Sequence, residues 1–377
     1  MSGKVNLSNL KCVDGSVIGV AELDNPKSLN ALGYDMIKQL YEQLLRWQSD
    51  DNVVAVFLHG KGEKAFCAGG DIQAIYQVLL NKEEDAATAR NAMEEFFSLE
   101  YRCDYLIHTY SKPVIAWGHG YLMGGGVGLF MGASKRVVAS NTRFAMPEVK
   151  IGLYPDVGAT YFLNKLPKHN ALFLALTSAQ INAADMKALQ MCHWIAEPSD
   201  KEAVLSQLTE ICWHSEGDKN AVIDQVLDRF DCAESESGLM QAHNEQIKQL
   251  CQIGDLAATV DNILNAQAGD KWFKQAQGSL AYGSPLSMQI SYQQLTQYSE
   301  LSLEECFRLE YALTIHCGME GDFREGVRSL LVDKSLDPVW IHQNVSEVSP
   351  ELLQRFFSPI CSAQQLLSHK SMEEKVS

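Results

Sequence analysis

Two short glycine-rich stretches each follow an apolar run. Ala68-Gly69-Gly70-Asp71 comes after 53–58 (VVAVFL), and Met123-Gly124-Gly125-Gly126 after 114–117 (VIAW). Glycine lets backbone N–H groups approach a ligand with no Cβ in the way. Where such a turn opens a helix, its unpaired N–H groups and the macrodipole present partial positive charge. The amides of Gly70 and Gly125, if they converge, would form an oxyanion hole, which stabilises a carbonyl as it gains negative charge. Taken singly, each stretch reads equally well as a tight turn.

Two carboxylates, Glu148 and Asp156, stand eight apart, each directly after a proline, in the otherwise apolar AMPEVKIGLYPDVG. Proline places the residue that follows it in a turn or at a helix start. A carboxylate among Met, Ile, Leu and Tyr is expected to have a raised pKa, suited to general acid–base work. The plainer alternative is a pair of helix N-terminal acids that accept backbone amides.

Other chemistries find less support. Gly60-Lys-Gly62-Glu-Lys-Ala65 fits a loose dinucleotide fingerprint, but Gly69 and Gly70 follow too soon for a helix to start under a pyrophosphate. There is no P-loop and no GxSxG elbow. The ten histidines form no HExxH pair, and the ten cysteines no CxxC. No metal site or redox cofactor is therefore expected, and the cysteines read as thiols in a reducing compartment. A net charge of −16 disfavours nucleic acid as a partner. The N-terminal stretch lacks an apolar signal core, so a cytoplasmic location is expected. The uncharged stretch 114–133 holds seven glycines and follows Pro113. It suits a buried strand, turn and helix better than a membrane span.

The positioning elements follow from periodicity. A hairpin is expected over 4–10 and 16–23 about Asp14-Gly15. A helix should carry Met36, Leu40, Leu44 and Trp47, and a helical stretch should run from Asp71 to about Thr109, broken near 81–85. Strands are expected at 53–58, 114–117 and 136–139, the first apolar throughout, as in a sheet covered on both faces. This alternation indicates an α/β layer architecture. Beyond about Thr177 the chain becomes polar and helical, with stripes at Leu205/Leu208/Ile211 and Val222/Val226/Phe230. Two regions are expected: 1–198, a catalytic α/β core, and 199–377, mostly helical.

Four segments occurring in order resemble the crotonase (enoyl-CoA hydratase/isomerase) superfamily. They are Asn25-Pro-Lys-Ser-Leu-Asn-Ala-Leu32, Lys64-Ala-Phe-Cys-Ala-Gly-Gly-Asp-Ile72, Lys112 through Gly126, and Phe144-Ala-Met-Pro-Glu148. The likeness extends to Ser284-Pro-Leu-Ser, to the stretch from Leu301 to Glu310 and to that from Asp322 to Arg328. It implies a crotonase-like ββα spiral with a mostly helical C-terminal part. It also implies a small-molecule acyl-CoA substrate, with coenzyme A part of the substrate rather than a cofactor. The Gly70 and Gly125 amides would form the oxyanion hole, and Phe66, Asp71 and Ile72 would line the CoA. Lys27, Lys61 or Lys64 would meet its phosphates by charge alone.

Hydratases of the family carry a glutamate three residues beyond the middle glycine of GGG, where this chain has Gly128. Their second glutamate aligns with Glu148. Asp156 stands where they have glycine, which is the pattern of the superfamily's thioester hydrolases. The resemblance thus implies hydrolysis of 3-hydroxyisobutyryl-CoA or 3-hydroxypropionyl-CoA, as in valine breakdown. Glu148 and Asp156 would be catalytic, and Glu100 would line the acyl pocket. The alternatives are a hydratase or isomerase, or a non-catalytic protein of the same fold. Relatives of the fold often form trimers through C-terminal helices; the helical stretch 199–265, of unassigned role, could block or redirect that contact, so the resemblance leaves a homo-oligomer open.

Overall fold

The computed structural model describes residues 3–232, 237–252, 254–267 and 269–367; the polar tail from Ser368 lies outside them. Ten strands are found among these residues. They are β1 (Lys4–Lys11), β2 (Val17–Asp24), β3 (Val53–Gly60), β4 (Ala65–Cys67), β5 (Val114–Gly118), β6 (Tyr121–Met123), β7 (Lys135–Ala139), β8 (Arg143–Ala145), β9 (Ile181–Asn182) and β10 (Trp194–Ala196). A six-stranded sheet runs β1-β2-β3-β5-β7-β10, and a four-stranded one β4-β6-β8-β9. The β1–β2 hairpin is antiparallel. From β2 onward the larger sheet is parallel. Every residue of β3 and β5 is buried, which is why both read as unbroken apolar runs.

The second sheet was not expected, for its strands are only two or three residues long. Nothing that short shows a period. The glycine-rich stretch 114–133 resolves into β5, β6 and the helix Gly125–Gly132. Among the described residues no helix is long and apolar enough to cross a membrane. Cys12, Cys192, Cys212, Cys232, Cys251, Cys306, Cys317 and Cys361 are free thiols.

Contacts gather the chain into two compact units, each built from three segments: 1–70, 103–144 and 181–242 in the first, 71–102, 145–180 and 243–377 in the second. The boundary expected at 198/199 falls inside the third segment of the first unit.

In the first unit, one face of the six-stranded sheet is covered by the helices Lys201–Thr209 and Lys219–Asp228. Val204, Leu205, Leu208, Trp213, Ile223, Val226 and Leu227 share a single buried cluster with Ile18, Val54, Phe57, Ile115, Trp117 and Val137. Much of the polar stretch after Ser199 is therefore a cover for the sheet, and its apolar stripes are the buried faces of amphipathic helices. A buried Lys135 on β7 pairs with Asp224 on the second of these helices.

The second unit is helical. Its core stacks Phe97, Tyr101, Phe307, Tyr311 and Phe323, with ring centroids 6.0–6.3 Å apart, an edge-to-face spacing typical of packed aromatics. The long helix Leu303–Glu320 starts on a capping box between Ser302 and Glu305.

Candidate active site

The two glycine turns meet in the first unit. Gly69 and Gly124 both have positive φ, 116° and 52°, which a side chain would strain. A Cβ added to Gly69 would lie 3.9 Å from Gly124 Cα and 4.0 Å from Gly125 N. One added to Gly126 would fall 2.5 Å from the Cys67 carbonyl oxygen. The closeness of the two turns thus requires glycine at Gly126. The helix Gly125–Gly132 opens at Gly125, so the Gly125 N–H is among those with no acceptor inside the helix.

Gly70 differs: it forms a bridge to Leu32, with the Leu32 N–H bonded to Gly69 O at 2.9 Å. In a parallel ladder that bond leaves the Gly70 N–H facing away from Leu32. The next helix, Gln73–Leu79, begins three residues later. Only one of the two turns therefore opens a helix directly.

Asn30 supports the turn from behind. It is 1% exposed, and its amide donates to Lys61 O at 3.0 Å and Ala65 O at 2.8 Å. The carbonyl of neighbouring Leu29 accepts Ala68 N–H at 3.0 Å. No chemical signature marked Asn30 as a positioning residue.

Phe66 lies on β4. Its side chain is fully enclosed and packs edge-on against Phe130 at 6.1 Å. Asp71 is exposed and Ile72 half-buried. Lys27 and Lys64 are exposed, while Lys61 is paired with Asp24 at 2.7 Å.

The second unit gathers the acids. Glu148 is the first residue of a 3-10 turn, Glu148–Ile151, closed by Gly152 at φ 71°. A Cβ on Gly152 would reach Asp322 backbone at 2.4 Å. Asp156 precedes Val157, a β-branched residue at φ 54°, a backbone state that costs on the order of 1–3 kcal/mol. The turn is held open by Glu310, whose carboxyl accepts Gly158 N–H and Thr160 N–H, both at 2.7 Å. Gln294 adds a bond to Pro155 O at 2.8 Å.

Glu100, Glu148 and Asp156 are 4%, 3% and 4% exposed, and no cation lies among the causes that shift them. Burial pushes Glu100 up to about 8, helped by the charge of Asp156. Burial and then Asp156 hold Glu148 well above the carboxylate range. Burial lifts Asp156 only to about 6, because a hydrogen bond from Tyr101 opposes it. Each carboxyl also feels its own backbone N–H. Asp156 Oδ2 accepts the Tyr101 hydroxyl at 2.6 Å, and Glu148 Oε2 is buried with no hydrogen-bond partner. An unpartnered buried carboxyl oxygen is costly.

Sequence reasoning missed Tyr101, Tyr154, Glu310, Gln294 and Thr314, which support the acids from up to more than a hundred residues away in the chain. Among the described residues no group of three or more His, Cys, Asp or Glu is placed to hold a metal ion.

Two adjoining glycine turns, a parallel sheet and buried acids after Met-Pro and Tyr-Pro define a class. A family model described as enoyl-CoA hydratase/isomerase matches residues 18–357, and the chain belongs to that family. It is 36% identical over 343 residues to 3-hydroxyisobutyryl-CoA hydrolase, mitochondrial, of Danio rerio, covering 91% of this chain and 87% of that one. It is 33% identical over 347 residues to the Homo sapiens protein of the same name, covering 92% and 87%. Among solved structures, a carnitinyl-CoA dehydratase from Mycobacterium thermoresistibile superposes with a TM-score of 0.81 at 30% identity, over 95% of this chain and 97% of that one. An enoyl-CoA hydratase from Rhodobacter sphaeroides 2.4.1 gives 0.80 at 26%, over 95% and 98%. The expected crotonase fold is borne out.

Proposed function

We propose that this protein hydrolyses 3-hydroxyisobutyryl-CoA to 3-hydroxyisobutyrate and free CoA, with 3-hydroxypropionyl-CoA as a second substrate. The observation that carries this reading is the buried pair Glu148 and Asp156. It occurs in a chain a third identical, over nine-tenths of its length, to proteins named for that hydrolysis. Gly128, within the Gly125–Gly132 helix, leaves out the second acid that hydration requires.

In this mechanism the thioester oxygen accepts the Gly70 and Gly125 N–H groups as it gains charge. Ionised Glu148 takes a proton from water, whose oxygen attacks the carbonyl carbon, or attacks that carbon itself to give an anhydride that water then opens. The C–S bond breaks, and the sulfur leaves as thiolate and takes up a proton. Asp156 binds the substrate hydroxyl or assists the departing sulfur. Glu100, in its protonated state at neutral pH, donates a hydrogen bond that orients the same hydroxyl. Asp71 and Ile72 contact CoA. No metal or redox cofactor takes part.

The test is thiol release from both hydroxyacyl-CoAs beside hydration of crotonyl-CoA. Saturable release with negligible hydration is expected. Hydration without release would assign a hydratase, and CoA binding without turnover a non-catalytic protein. A cytoplasmic location and a homo-oligomeric state belong to the same proposal, checked by cell fractionation and by light scattering.

A further inference from the structure

Three hydroxyls join the helix Leu303–Glu320 to Asp156. The Tyr101 hydroxyl donates to Asp156 Oδ2 at 2.6 Å and shares a bond with Thr314 Oγ1 at 2.7 Å. Thr314 Oγ1 in turn meets the Tyr154 hydroxyl at 2.8 Å. Tyr154 donates to the backbone carbonyl of Glu310. That carbonyl can only accept, so the Tyr154 proton is committed to it. The single Thr314 proton then serves either Tyr101 or Tyr154, and the Tyr101 proton goes to Asp156. Tyr101, Tyr154, Thr314 and Glu310 are each 2% exposed or less, so water does not compete.

Each carboxyl feels its own backbone N–H, but Glu148 has no hydroxyl donor. Its Oε2 is buried and unpartnered, while the negative charge of Asp156 acts on it. Two carboxyls that feel each other do not both ionise readily, and the proton settles on the one whose anion is less well solvated. A hydrogen bond to the charged form decides such a contest.

We propose that Tyr101, set in place by Thr314 and Tyr154, is a positioning residue that fixes the charge on Asp156 and so leaves the shared proton on Glu148. The titratable groups facing the pair are Glu100 and Tyr101 on one helix, Tyr154 in the intervening loop, and Glu310 and Cys317 on the helix Leu303–Glu320. None of these is basic, so the hydroxyl donor has no salt bridge to rival it. The inference builds on the proposed hydrolysis only in giving the pair its use. Glu148 must release the proton it holds before it can take one from water, and Tyr101 determines where that release begins.

The experiment is a 13C titration of side-chain carboxyls in the full-length protein, with Asp156 assigned from Asp156→Asn. In Tyr101→Phe the Asp156 resonance is expected to titrate about one pH unit higher than in the wild type. In Tyr154→Phe, which removes an equally buried hydroxyl two bonds further away, it should move by less than a third of that shift. An unchanged Asp156 titration in folded Tyr101→Phe overturns the proposal, as does an equal shift in Tyr154→Phe. Should Tyr101→Phe fail to fold, Thr314→Val carries the test: a smaller shift of the same sign supports it, and none overturns it. If the wild type releases no thiol from 3-hydroxyisobutyryl-CoA, the hydrolase reading fails while the titration still decides the role of Tyr101. Thiol release with an unmoved titration fails the Tyr101 proposal alone.

Discussion

The glycine turns of the first unit and the acid cluster of the second are built by opposite means. In the first, the candidate groups are backbone amides. Side chains are excluded, because a Cβ at Gly126 would fall within 2.5 Å of the Cys67 carbonyl. In the second, the candidate groups are side chains, and the backbone beside Asp156 is strained at Val157. A backbone device dictates residue type at consecutive positions. A side-chain device scatters its supports, and Asp156 depends on Tyr101 and, through it, on Thr314.

The comparison is broken most readily at the acids. Glu148→Gln is expected to lower kcat for thiol release by ~1,000-fold or more without loss of fold. A variant with near wild-type turnover would remove Glu148 from the chemistry.

Next in size is the cover over the large sheet. Trp213, 1% exposed and bonded through its indole to Leu208 O at 3.1 Å, should cost about 3–5 kcal/mol when truncated to Ala. Urea unfolding measures that loss, and turnover per folded molecule should stay unchanged.

Gly126→Ala should reduce kcat by ~100-fold, because the turn must shift to admit the methyl group. Full activity would mean that the juxtaposed turns are structural only.

The smallest effect concerns stability against pH. Glu148 is held above its unfolded pKa by burial and by Asp156, so the folded wild type retains a proton that the unfolded chain releases. Its stability therefore declines as pH rises above about 4.3, the unfolded value. Glu148→Gln lacks that penalty and should melt above the wild type at pH 8, with the gap closing toward pH 4. A gap that widened on acidification would reverse the assigned shift.

Legibility in the sequence follows the same division. Strands β3 and β5 announced themselves because both faces are covered, and the Gly125–Gly132 helix start because only glycine fits there. Glu148 and Asp156 were visible as acids in apolar, proline-led surroundings. Their partners were not, for Tyr101 and Glu310 look like ordinary members of helical stripes until the fold brings them to Asp156 and Gly158. The strands of the small sheet were too short to carry a period. The helices after Ser199 showed their stripes, yet nothing in a stripe names the surface it will cover.

Each compact unit draws on three separated stretches of chain, and this constrains how the molecule can be made. During synthesis the first unit lacks its last segment until residue 242 has left the ribosome, and the second lacks most of its substance until still later. A gene truncated after codon 198 would yield an uncovered sheet with exposed apolar surface, prone to association. Expression of halves is thus a poor route to a working fragment, and truncations before residue 242 should act as complete losses.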